Sequence, residues 1–222
     1  MGLISQHQRL YLVAIVAATA LAMPSVAPAQ QQRFTVRGTG TWSYPTGDFD
    51  FTAPTGQRLI ATPSNALGVA FAFEYRPVPK VGFEFGGMFA RPTIDLVSLE
   101  AGERVEAEGD MWFVPWIAGV NLHMTPDRPV DIYAGVMLLY ALYGDVDFVA
   151  PGLGTAFVRG NNDTGWGMQL GVDVPIGEKG WNFAASIKYL STNYSFTEVD
   201  EGLELEMRFN PFVLGFGVSA HF

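Results

Sequence analysis

The sequence predicts an all-β fold, a transmembrane antiparallel up-and-down β-barrel of about eight strands, and three observations carry that prediction. Bulky apolar and small side chains alternate along most of the chain. No stretch beyond the N-terminal region is long and apolar enough to cross a membrane as a helix. The segments between candidate strands alternate between short and long.

Composition sets the bounds. The 222 residues are ample for one domain and short for two. At 49% hydrophobic, 14% aromatic and 16% charged, the chain is too apolar for disorder and poor in charge for a domain covered by water. It has no cysteine, which excludes thiol nucleophiles, disulfides and cysteine-ligated metals. A formal charge of −9 repels phosphates, so nucleic acid is excluded as a partner.

Residues 1–29 read as a cleaved signal peptide. Arg9 precedes an apolar run from Leu10 to Met23, and Ala27-Pro28-Ala29 supplies a small-x-small cleavage pattern. The run is about 14 residues, short of the roughly 20 that a spanning helix needs. Residues 30–222 then form a single barrel domain.

Within it the period is two. Leu67, Val69, Phe71, Phe73 and Tyr75 share one face, opposed by Ala66, Gly68, Ala70, Ala72 and Glu74. Val81, Phe83, Phe85 and Phe89 are opposed by Gly82, Glu84, Gly86 and Met88, and Phe212, Leu214, Phe216, Val218, Ala220 and Phe222 by Val213, Gly215, Gly217, Ser219 and His221. A soluble sandwich would carry Lys, Glu, Thr and Ser on the second face. Small residues suit instead a crowded barrel lumen, with lipid taking the bulky face.

Candidate strands lie at 34–44, 64–76, 80–90, 110–124, 130–144, 163–175, 180–195 and 205–222. An even count returns both ends to the periplasm. Arg76–Lys80, Thr125–Arg128 and Pro175–Gly180 read as tight turns, whereas 45–63, 91–109, 145–162 and 196–204 read as long outer loops. In this threading Trp42, Trp112 and Trp166, with Phe89 and Tyr140, fall near the outer strand ends. Tyr75, Trp181 and Phe222 fall near the periplasmic ends, giving two aromatic girdles.

Five ionisable residues point inward by this register: Arg37, Glu74, Glu84, Asp173 and Lys188. Charges in a narrow lumen are costly unless paired, so Arg37 and Lys188 are expected to bridge to the carboxylates and plug the pore. Such a network serves as a selectivity filter or as structural glue, and the register favours glue. Acidic residues collect in the long segments, among them Asp48, Asp50, Glu106, Glu108, Asp145, Asp147, Asp200 and Glu201. They lack the ordered spacing of a calcium loop, so no metal site is assigned, and no cofactor motif is present.

The stretches PWIAGVNLHMTPDRPVDIYAGVMLLYALYGD, GWGMQLGVDVPIGEKGWNFAASIKYLSTNY and NPFVLGFGVSAHF resemble the outer membrane protein W type of small barrel. The resemblance covers the second half of the chain in sequence and the first half in pattern. It implies an eight-stranded barrel of the bacterial outer membrane, contacting lipid and lipopolysaccharide, with a narrow passage for small hydrophobic molecules or ions. It also implies that Phe222 is the assembly signal read by the barrel insertion machinery.

Two rivals fare worse. An enzyme of this shape needs a base at the outer rim, yet of the three histidines His7 lies in the leader and His123 and His221 map to the periplasmic end. Gly40-Thr41-Trp42 imitates the Gly-x-Trp of the soluble lipocalin barrels, but the chain lacks their disulfide and final helix. A non-catalytic barrel is expected, either a narrow channel or a structural barrel supporting the envelope or surface contacts.

Overall fold

A computed structural model describes residues 33–46, 49–52, 58–100, 103–126, 128–150, 154–177, 180–198 and 204–222. The expected signal peptide, Asp48, Asp200 and Glu201 lie outside the described residues. The strands are β1 (Phe34–Tyr44), β2 (Phe49–Thr52), β3 (Arg58–Pro63), β4 (Ala66–Val78), β5 (Val81–Ala90), β6 (Thr93–Glu100), β7 (Glu103–Asp110) and β8 (Phe113–His123). They continue with β9 (Asp131–Tyr143), β10 (Val146–Ala150), β11 (Gly154–Asn161), β12 (Asp163–Pro175), β13 (Trp181–Glu198), β14 (Glu204–Phe209) and β15 (Phe212–His221).

Eight of these close on themselves, every pair antiparallel, in the order β1, β4, β5, β8, β9, β12, β13, β15 and back to β1. Closure leaves no unpaired edge in this ring, which a lipid environment requires. The ends of the chain meet in the closing seam, where Phe34 and Phe222 exchange backbone hydrogen bonds of 3.1 and 2.8 Å. At the short-turn end, Gly177 and Gly180 take positive φ angles of 75° and 72° in the β12–β13 turn, a conformation that a Cβ would oppose.

The outward rows follow the expected alternation. Leu67, Val136 and Leu138 are 82%, 66% and 71% exposed, and the bulky residues of β4, β5 and β15 point the same way, whereas Ala66, Ala72, Met88 and Val213 are buried inside. A continuous apolar belt of this kind is a liability in water and a requirement in lipid. Ala220, expected on the bulky face, is buried near the end of β15.

The expected long loops are corrected by the structure. Residues within 45–63, 91–109, 145–162 and 196–204 form hairpin strands that carry the wall upward as a second sheet, in the order β2, β3, β6, β7, β10, β11, β13, β14. β13 belongs to both sheets and links them. In this extension the polarity of the alternation reverses. On β7, Glu106, Glu108 and Asp110 face out, and Val105, Ala107 and Gly109 are partly or fully buried. Water replaces lipid outside the wall, so the charges take the outer face. The expected strand 110–124 is accordingly interrupted at Met111-Trp112, between β7 and β8.

Candidate functional site

The lumen has two levels. Toward the short-turn end every one of the eight barrel strands contributes a buried polar side chain, because inward positions recur at every second residue. Arg37 of β1 is the hub. Its Nη2 lies 2.9 Å from Asp173 Oδ2 on β12, and its Nη1 lies 3.2 Å from Glu74 Oε2 on β4 and 3.5 Å from Glu84 Oε2 on β5. The guanidinium carbon sits 4.5 Å from the ring centroid of Tyr133 on β9. Lys188 of β13 reaches Glu84 Oε1 at 3.3 Å.

All five charges expected inside are therefore brought together. The structure adds partners that the sequence reading left out. Lys188 Nζ donates to Gln169 Oε1 at 2.6 Å, Gln169 Nε2 donates to Asn121 Oδ1 at 2.7 Å, and Asn121 Nδ2 donates to Glu74 Oε2 and Glu84 Oε2 at 2.6 and 3.0 Å. Ser219 Oγ donates to Asp173 Oδ1 at 3.0 Å. Arg76, expected where the strand 64–76 gives way to a turn, points inward, and β4 runs on past it to Val78. Its Nε pairs with Glu74 Oε1 at 2.6 Å and its Nη1 with Asp131 Oδ2 at 2.8 Å, while His123 Nδ1 lies 2.8 Å from the same Asp131 oxygen. The signal was present: Glu74 and Arg76 are two apart on one strand, as are Asn121 and His123, and such residues share a face.

Above this layer the lumen is apolar. Met111, Phe113, Tyr143, Leu190 and Phe209 are buried there, with Phe113 packed at 5.3 Å on Tyr143 and at 5.1 Å on Phe209 between ring centroids. Where the two levels meet, a cavity of about 30 Å³ lies between Arg37, Glu84 and Lys188 on one side and Met88, Ile117, Leu190 and Val213 on the other. Such a volume holds one or two water molecules. The axis is thus closed by ionic contacts below and by packed rings above.

The aromatic positions fall at the two rims. Trp42, Trp112 and Trp166 are exposed at the long-hairpin end of the barrel, and Tyr75 and Trp181 are half-buried at the other. Outside the extension the surface is acidic, with Asp95, Glu106, Glu108 and Asp147 exposed. Arg91 Nη2 lies 2.9 Å from Asp110 Oδ2, and hydrogen bonds from Arg58 hold the Asp50 carboxyl below the usual carboxylate range. Among the described residues no group of three or more His, Asp or Glu is placed to hold a metal ion.

A closed even-stranded barrel with an apolar belt, aromatic rims and inward charges defines an outer-membrane β-barrel. The chain belongs to the outer membrane protein beta-barrel domain family, whose model matches residues 13–222. Among solved structures it is similar in fold to the outer membrane protein OprG from Pseudomonas aeruginosa, with a TM-score of 0.68 and 16% identity over 87% of this chain and 97% of that one. The outer membrane protein AlkL, determined in lipid bilayers, gives a TM-score of 0.57 and 15% identity over 90% and 97%. Outer membrane protein W of E. coli gives 0.49 and 16% over 87% and 100%. No curated protein sequence matches the chain. The small outer-membrane barrel read from the sequence is thus the class to which the chain belongs.

Proposed function

We propose that the protein is a non-catalytic outer-membrane barrel that admits small hydrophobic molecules to its apolar upper lumen and releases them sideways into the lipid. The observation that carries this reading is the division of the lumen, apolar toward the long-hairpin end and ionic toward the other. A hydrophobic solute gains by entering the upper level and loses by crossing the charges below. A sideways exit is supported only at the foot of the extension, where the water-facing wall meets the lipid-facing barrel: the ladders of the extension end at β2 and β14 with no pairing between the two among the described residues. That seam begins just above the Tyr44↔Phe212 pair, next to Trp42 at the rim. Passage requires the rings of Phe113 and Phe209 to move, a motion of the kind that gates many sites.

The same reading gives export through a leader cut after Ala29, a terminal Phe222 read by the insertion machinery, and lipid and lipopolysaccharide as surroundings. The experiment is uptake of a fluorescent hydrophobic probe by proteoliposomes, with ion conductance recorded in parallel. Probe uptake above empty liposomes with little ion conductance is expected. Uptake no greater than in empty liposomes overturns the proposal. It would leave a structural barrel that supports the envelope, the reading favoured by a lumen whose central cavity is only about 30 Å³.

A further inference from the structure

The periplasmic mouth of the barrel is a second concave site, separate from the apolar upper lumen. A vestibule of about 340 Å³ opens there beneath the ionic layer, rimmed by Pro79, Pro126, Pro129 and Pro175. Arg76, Asp131 and His221 are among the residues that line it. Arg76 Nη2 and Asp131 Oδ1 have no hydrogen-bond partner although both side chains are more than nine-tenths buried, whereas His221 Nε2 reaches Asp173 Oδ2 at 3.5 Å. Buried polar atoms are seldom left so, because each costs the loss of its hydration.

The charges define what fits. Arg76 Nη1 already offsets Asp131 through its other oxygen, at 2.8 Å, so among the described lining residues the exposed Arg33 and Arg128 add positive charge in excess. A simple anion satisfies Arg76 and the rim but faces Asp131 Oδ1, which needs a donor. A group carrying an ammonium beside an anionic phosphate satisfies both. We propose that this vestibule binds a zwitterionic phosphate–ammonium group of the phosphoethanolamine type, with phosphate on Arg76, Arg33 and Arg128 and ammonium on Asp131. Either a lipid headgroup of the inner leaflet or a soluble molecule supplies that chemistry.

The test is titration calorimetry of the full chain in lipid nanodiscs with O-phosphoethanolamine, and in parallel with inorganic phosphate. Saturable binding is expected, weaker for inorganic phosphate. The double variant Arg33→Gln, Arg128→Gln, which alters only exposed side chains, should weaken binding by about tenfold or more, as loss of charge-assisted hydrogen bonds implies. Asp131→Asn should narrow the preference over inorganic phosphate, with folding of each variant checked by its resistance to unfolding in cold detergent. Weaker binding in phosphatidylethanolamine nanodiscs than in phosphatidylcholine ones assigns the site to the lipid headgroup, and equal binding assigns it to a soluble ligand. No saturable binding in either nanodisc, equal affinity for inorganic phosphate, or a double variant that binds as the natural chain does overturns the proposal. Probe uptake through the upper lumen is unaffected by any of these outcomes, so the two readings fail separately.

Discussion

Arg37 and Asp173 meet across the lumen at 2.9 Å although they stand 136 positions apart in the chain. They stand on β1 and β12, which are not neighbours in the ring, so the contact spans the inside of the cylinder. Both side chains are almost wholly buried, and Glu74 and Glu84 approach the same guanidinium.

The first prediction concerns this hub. Arg37→Met would leave Asp173 without its guanidinium partner and take one of two cations from each of Glu74 and Glu84. Removing one partner of a buried ionic network costs about 3–5 kcal/mol. Urea unfolding of the detergent-folded barrel should report a loss of that order, and a loss below about 1 kcal/mol would show that the network does not hold the fold.

A second prediction compares a small inward residue, Gly171, with an outward one, Gly38. A Cβ at Gly171 would come within 2.2 Å of the Tyr133 ring, which lies beside Arg37, whereas a Cβ at Gly38 would meet nothing within 4 Å. Gly171→Ala should therefore destabilise by about 1–3 kcal/mol through overpacking. Gly38→Ala should stay within about 0.5 kcal/mol of the natural chain. Equal effects in the same unfolding assay would contradict the crowded lumen.

How much of this was legible in the sequence depends on what lies outside the wall. Where lipid does, rows such as Phe71, Phe73, Phe83 and Phe85 announce both the strand and its orientation, and the matching inward positions yield Arg37, Glu74, Glu84, Asp173 and Lys188. Where water does, the same wall carries Glu106, Glu108 and Asp110 outward, and runs of acid resemble loops; the hairpins were missed for that reason. Arg76 was hidden by the prolines that follow it, since Pro77 and Pro79 read as a turn while the strand runs on to Val78. The β-bulge between Tyr75 and Val78 absorbs that irregularity. Asn121 and Gln169 carry no charge and so gave no sign, although their parity places them inside.

A third prediction tests what closes the axis. Glu84→Ala combined with Lys188→Ala removes one charge of each sign beside the existing cavity, leaving Arg37 its contacts to Glu74 and Asp173. Single-channel recordings should show higher ion conductance than the natural chain. Unchanged conductance would place the constriction elsewhere, at the Phe113–Phe209 level.

The central claim is that the bulky rows face hydrocarbon, and spin-label accessibility tests it most directly. The natural chain has no cysteine, so a single one at Val136, 66% exposed on β9, can carry a nitroxide without interference. In reconstituted bilayers the label should collide readily with oxygen dissolved in lipid and be shielded from a water-soluble nickel chelate. Free access to the chelate with little to oxygen would contradict the barrel orientation on which every other inference rests.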